Sequence, residues 1–394
     1  MKIAIIGRGT SAIIQALCCI KYGHEISFFY DPEISPICVG ESTTPQVFNL
    51  IYDVLQLSIG EMVDDKVVSF KNGVKFIGWG NNETFRHHFH SKTPLAGHFL
   101  TKKLNEYIHD IFKSVGIEYF LEKVEDIQEN EDFVCINGKI FDYVVHCSGW
   151  NGLKVSCEPS LIETVNTALT FQDNIIDDYS YTIHRAHENG WQFELPFPEQ
   201  NLCKKGFLFN KNYLSEKNAL ENLKENVSVI SWDPKHSFNL LISKRQSLNG
   251  NCLFFVEPLQ ALTLHYYVSF AERICNYLND INQRSYVDTN NSYLKDIYDY
   301  EKLVAYHYSY GSKYSSDFWK DTQKKAKNLI GNDYMTKNLD ILEHLIFMDL
   351  KFDTQHCKLG CFTSEDFSLV HCGMSNKKVS DYKYLTPPTQ NINI

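Results

Sequence analysis

KIAIIGRGTSAIIQALCCIKYGHEISFFY, residues 2–30, decides the fold of this chain. The apolar run Ile3–Ile6 stops at Gly7, Gly9 follows, and Ala12 stands where a third glycine is usual. From Ser11 to Tyr22, Ile13, Ile14, Leu17 and Ile20 recur at helical spacing, Gly23 ends the helix, and EISFFY reads as a second strand. Strand, glycine turn, helix and strand within about 30 residues open a mostly parallel sheet covered by helices. A helix N-terminus leaves backbone N–H groups unsatisfied, and a pyrophosphate can satisfy them. Gly7 permits the tight turn, Gly9 lets the backbone approach phosphate, and Ala12 is small enough for helix–strand contact. Thr10 and Ser11 offer hydroxyl donors. The second strand of such a unit usually ends in a carboxylate for the ribose; here Tyr30 comes first and Asp31 one residue late. A phenol donates one hydrogen bond but cannot accept from two ribose hydroxyls.

The rest of the chain narrows the function class. With 394 residues it can form a large core and two coupled domains. A formal net charge of -10 argues against nucleic acid or an anionic membrane as the main partner. The 26 Phe and 23 Tyr are enough to line a large aromatic surface as well as a core. No uninterrupted apolar run reaches the roughly 18–20 residues that span a bilayer, and the N-terminus enters a strand without a signal peptide, so a cytoplasmic location is expected. Twelve cysteines in so long a chain are not a disulfide scaffold and are expected to be reduced. His356, Cys357, Cys361, His371 and Cys372 fit no close zinc spacing, so no metal is expected.

Further along, VVSFKNGVKFIGW (67–79) reads as two short strands broken near Asn72-Gly73, with Lys71 sharing parity with Ser69 while Phe70 faces the other way. A helix is expected from about Thr101 to Val115, and KIFDYVVHCSG should return a buried strand, 141–147, to the first sheet. Alternation through YTIHRAHENGWQFELPF and GFLFN predicts an antiparallel substrate sheet within 160–240. Pro258 to about Leu278 reads as a turn and a long helix, with further helix through Met348.

Five segments, in order, resemble the flavin-dependent halogenases of the tryptophan halogenase family: VGESTTP (Val39–Pro45), FKNGVKFIGW (Phe70–Trp79), HCSGWNGL (His146–Leu153), NGWQFELP (Asn189–Pro196) and FVEPLQALTL (Phe255–Leu264). The resemblance implies an FAD-binding, glutathione-reductase-like α/β fold with an antiparallel substrate sheet and C-terminal helices. The FAD-binding module would comprise 1–80, 140–160 and 250–280. The substrate sheet and insertions would comprise 81–139 and 161–249, and a helical region 281–394. FAD, reduced by a separate flavin reductase, would lie against Gly7, Gly9, Thr10, Ser11, Ala12, Tyr30, Gly40, Glu41, Ser42, Glu257 and Pro258. Halide would sit at Leu262 and Thr263. Lys71 would guide hypohalous acid to an electron-rich aromatic substrate in an aromatic-lined pocket, with Gln260 nearby.

The departures from the family pattern have chemical consequences. Gln260 stands where the family has a glutamate, and an amide cannot move a proton at neutral pH. Ala261, Leu262 and Thr263 replace the serine, threonine and glycine of the halide loop, where glycine gives backbone freedom. GNCLFFVEPL (Gly250–Leu259) is shorter than the family's glycine-bearing flavin segment, so weak FAD binding is expected. In the fourth segment Phe193, after Gln192, holds the second aromatic position. Two alternatives to a halogenase follow: a flavin monooxygenase that does not use halide, and a non-catalytic flavin-fold relative.

Overall fold

The structure is a computed structural model that describes residues 1–37, 41–89, 96–150, 152–221, 226–331, 361–362 and 364–375. By contact the chain divides into two units. One comprises Met1–Phe70, Leu95–Ser160 and Asp233–Asp296, the other Lys71–Pro94, Leu161–Trp232 and Ile297–Ile394.

In the first unit five strands run in the order Gln246–Leu248, Tyr143–His146, Lys2–Ile6, Glu25–Phe29 and Glu118–Phe120, every adjacent pair parallel. The pairing expected between the first two strands is present, Lys2 opposite Glu25 through Ile6 opposite Phe29. The helix Thr10–Lys21 is more deeply enclosed than its single apolar side predicts, with eight consecutive residues, Ala12 to Cys19, buried. The helix Leu262–Leu278 packs on it as well, and Gln15 is fully buried in consequence. Its amide is used on both sides: Nε2 donates to Cys19 Sγ at 3.4 Å, and Oε1 accepts from Asn249 Nδ2 at 3.0 Å. A buried amide left unmet would cost about 1–3 kcal/mol, which is why the glutamine needs these partners.

Gly7 has φ +125°, and a Cβ there would lie 2.4 Å from the Cys147 carbonyl oxygen at the end of the central strand pair. The turn therefore needs glycine for two reasons, dihedral and approach. Gly7→Ala is expected to destabilise the protein by about 2–3 kcal/mol or more, read as a lowered denaturant midpoint.

The second unit holds a seven-stranded sheet in the order Ser228–Ser231, Thr167–Asp173, Leu202–Phe209, Gly190–Phe197, Tyr181–His187, Gly73–Ile77 and Thr84–His88. All its pairs are antiparallel except Tyr181–His187 with Gly73–Ile77, which are parallel. The antiparallel sheet read from the alternation of 160–240 is thus present, and strands from 73–88 extend it. On one face Val74, Phe76, Thr182, His184, Ala186, Trp191, Phe193 and Leu195 are buried. Helical side chains cover that face: Trp79 meets Tyr308 at 5.3 Å and Trp319 at 5.1 Å, and His307 stacks on Phe76 at 5.8 Å. The helices Asp317–Ile330 and Ser364–Ser375 are described, whereas the helix expected through Met348 lies outside the described residues. No described helix is long and apolar enough to cross a membrane.

Candidate active site

The helix Thr10–Lys21 starts at Gly9, whose φ of -79° and ψ of -177° are ordinary extended values, and no side chain caps it. A Cβ on Gly9 would meet nothing within 4 Å. Around this bare helix end, Arg8 Nε, Glu41 Oε2, Thr101 Oγ1 and Asn105 Nδ2 are buried with no hydrogen-bond partner among the described residues. Thr10 Oγ1 donates to Asn105 Oδ1 at 3.4 Å, tying the loop to the helix Thr101–Ser114. The Arg8 guanidinium lies 4.8 Å above the Tyr30 ring. Nε2 of His109 donates to the Arg8 carbonyl at 2.9 Å, so its Nδ1 accepts from the Tyr119 hydroxyl at 2.9 Å. Burial pushes the Glu41 carboxyl up to about 7, opposed by the Thr10 hydroxyl.

Each unmet buried polar group costs about 1–3 kcal/mol, so four of them around one helix N-terminus fit a polar, phosphate-bearing guest. Guanidinium, amide, hydroxyls and a neutral carboxyl suit the diphosphate, ribityl and ring edges of a flavin nucleotide. Sequence reasoning missed Thr101 and Asn105. The available signal was two polar residues at i, i+4 beside the apolar Leu104, Ile108 and Phe112.

The other candidate flavin residues are placed as follows. Ala12 is fully buried against the sheet, and Ser11 turns inward, where a Cβ on Gly250 would lie 2.3 Å from its Oγ. The short segment that begins at Gly250 is thus seated directly on the first helix, held by Asn249 Nδ2 donating to Gln15 Oε1 and to the Tyr267 carbonyl. Ser42 pairs with His98 in the small sheet Glu41–Ser42, Ala96–Phe99 and Val68–Lys71. Gly40 lies outside the described residues.

Glu257 is fully buried, and its carbonyl accepts from Thr263 Oγ1 at 3.4 Å. Between them Gln260 and Ala261 are both left-handed, at φ 57° and 61°, before the helix Leu262–Leu278 begins without a side-chain cap. A side chain in that region costs roughly 1–2 kcal/mol, so strain is concentrated where halide is expected. Ala261→Gly is expected to be neutral or stabilising by up to about 1 kcal/mol, although glycine in a helix interior costs about that much. A thermal melt decides it.

Lys71 ends the strand Val68–Lys71 and is fully buried, with Ser69 buried beside it and Phe70 38% exposed, as strand parity predicts. Its ammonium lies 5.0 Å from the Phe89 ring, and burial brings its pKa down to about 7. In the same unit His184 lies 4.6 Å from Trp191 and 5.3 Å from Phe76, ring to ring. Trp79 meets Trp191 at 6.0 Å. His184 Nδ1, Trp79 Nε1 and Trp191 Nε1 are all buried without a partner among the described residues. Phe193 lies over Gly206, where a Cβ would come within 2.2 Å of its ring. On the opposite face Glu194 binds Arg185 Nε at 2.8 Å, a structural ion pair. Gln260, Leu262 and Thr263 belong to the first unit and Lys71 to the second. Among the described residues no cluster of three or more His, Cys, Asp or Glu could hold a metal ion; His356 and Cys357 lie outside them.

Comparison with known proteins gives a consistent result. A family model described as tryptophan halogenase matches residues 2–115 and 86–374. The chain is 21% identical to tryptophan 7-halogenase KtzQ of Kutzneria sp. (strain 744), over 81% of this chain and 78% of that protein. It is 20% identical to tryptophan 7-halogenase RebH of Lentzea aerocolonigenes, over 86% and 81%. The fold is that of the tryptophan 6-halogenase SttH from Streptomyces toxytricini, with TM-score 0.79 and 16% identity over 95% of this chain and 90% of that one.

Proposed function

The chain belongs to the tryptophan halogenase family of flavin-dependent enzymes, and on that premise we propose that it uses FAD, oxygen and halide to halogenate an electron-rich aromatic substrate, with Lys71 presenting the oxidant. One observation carries the reading: Lys71 is a fully buried ammonium among aromatic rings, held near neutrality by burial. A lysine that can hold or release its proton near pH 7 can donate a hydrogen bond to the oxygen of hypohalous acid and polarise the halogen toward a nearby arene.

The bare helix end at Gly9, with Thr10, Arg8 and Asn105, is suited to the FAD diphosphate and ribose. Glu41, kept neutral by its surroundings, can donate a hydrogen bond to a carbonyl or ring nitrogen of the cofactor. When bound, reduced flavin supplies oxygen activation, and a separate reductase would deliver it. Backbone N–H groups opening the helix at Leu262 and Thr263 are the candidate halide donors. Because the segment after Gly250 is short, FAD is expected to bind weakly. The left-handed Gln260–Ala261 pair, lacking a glycine, favours a second reading: the same flavin chemistry without halide.

The test supplies FAD, an unrelated flavin reductase, NADH and either chloride or bromide to an aromatic panel, with products read by mass. Halogen isotope patterns that vanish when halide is omitted support the halogenase. Hydroxylated products regardless of halide would replace it with the monooxygenase.

A further inference from the structure

Family membership leaves a chemical gap in this chain: Gln260 cannot take the proton that must leave an arene carbon when halogen is added. The second unit contains a group that can. His184 sits in the strand Tyr181–His187, paired with Phe76 on one side and Phe193 on the other, and is 1% exposed. Its ring is held between Trp191 and Phe76, and its Nδ1 has no partner among the described residues. The indole N–H groups of Trp79 and Trp191 in the same ring cluster are also unmet. Two unmet donors and one unmet imidazole nitrogen in a wall of rings suit an aromatic guest carrying a polar acceptor.

We propose that His184 is the proton acceptor of the halogenation, the role for which position 260 has no acid. The proposal rests on the halogenase reading above. The halogen of hypohalous acid bonds to the arene carbon as the halogen–oxygen bond breaks, and Lys71 donates a proton to the departing oxygen, giving water. The C–H electron pair returns to the ring, its proton passes to His184, and the imidazolium returns a proton to Lys71. The net change is arene plus hypohalous acid to haloarene plus water.

Charge placement agrees with this cycle. His184 is held well below the usual histidine range by burial, then by Lys71, then by His307. Those two are the charged or titratable groups acting on it, from the strand Val68–Lys71 and the helix Tyr286–Ser309. His307 is itself kept neutral, lowered to about 4 by burial, while its Nδ1 donates to the Leu303 carbonyl at 2.8 Å. A neutral imidazole is ready to accept, and it becomes more basic at the moment Lys71 gives up its proton. A halogenated arenium ion is acidic enough that a weak base suffices.

The experiment uses His184→Gln in the full chain, with FAD, reductase and halide. Arene halogenation should fall by about 100-fold or more, while oxidation of halide, read with a soluble diketone scavenger, persists. A ring-deuterated arene should show a primary isotope effect in the variant that the parent lacks. Arene halogenation at the parental rate would overturn the proposal. So would equal loss of scavenger and arene halogenation without an isotope effect, since that pattern means a packing role. Absence of halide oxidation in the parent would instead overturn the halogenase reading, and this proposal with it. A second measurement stands apart from turnover and from the folding of that variant: nitrogen-resolved NMR titration of His184 in Lys71→Met should show its pKa raised relative to the parent. No movement would mean the two groups are not coupled, and the proposal would fail.

Discussion

Lys71→Met should abolish arene halogenation, by about 100- to 1,000-fold as for loss of a single oxyanion donor, while flavin affinity and reductase-coupled oxygen uptake stay within about twofold. The same change should stabilise the protein, and the pH dependence makes that specific. The folded pKa of Lys71 lies near 7, against a usual value of 10.5. Between those limits the unfolded chain holds a proton on this lysine and the folded chain does not, so stability rises with pH across the window. Below about 7 both states are protonated and the burial cost is fully present, on the order of 3–5 kcal/mol. Methionine has no such cost. The melting temperature of Lys71→Met minus that of the parent should therefore be largest at pH 6 and shrink towards pH 10. Glu41 works with the opposite sign: it keeps its proton in the fold up to about 7, so its contribution is present below the usual 4.5 and is lost as pH rises to about 7. Glu41→Gln separates the two slopes. A pH-independent difference for Lys71→Met would mean that the lysine is hydrated rather than buried.

How much of this was legible beforehand depends on the distance over which residues act. The first sheet was readable because Ile3–Ile6, Gly7 and the helical spacing after Gly9 are local signals that agree with one another. Strand parity likewise placed Lys71 with Ser69, away from Phe70. Parity cannot state that a charged side chain is buried; that follows from what other segments bring to it. The contact of Thr10 with Asn105 spans 95 residues and exists only once the parallel sheet and its following helix form. His184 next to Phe76 depends on the one parallel pairing in an otherwise antiparallel sheet, which alternation in sequence does not encode. The left-handed pair Gln260–Ala261 carries no local signal at all, since neither residue is glycine or asparagine. Gly250 read as a remnant of a flavin segment, whereas its position against Ser11 shows a packing requirement as well.

The second large effect concerns Gly9, and its value lies in the contrast with Gly7. Gly7 is strained and crowded, so any side chain there damages the fold before it can report on a ligand. Gly9 has ordinary dihedrals and open space at its Cβ position. Gly9→Leu should therefore leave the melting temperature within about 2 °C of the parent, because a substitution at an uncrowded surface site usually changes stability by no more than about 0.5 kcal/mol. If the FAD diphosphate lies on this helix end, the leucine fills its place. Losing two charge-assisted hydrogen bonds at roughly 1.5–3 kcal/mol each raises the FAD dissociation constant by about 100-fold or more. Fluorescence titration of FAD into parent and variant measures this directly, and it does so whether parental binding is tight or, as the short Gly250 segment suggests, weak. Parental affinity in a well-folded Gly9→Leu would place the diphosphate elsewhere, and the unmet Arg8, Thr101 and Asn105 atoms would then need a different guest. Loss of affinity with the fold intact would tie those atoms, the bare helix end and the cofactor to one site, since the substitution alters nothing else that the apoprotein uses.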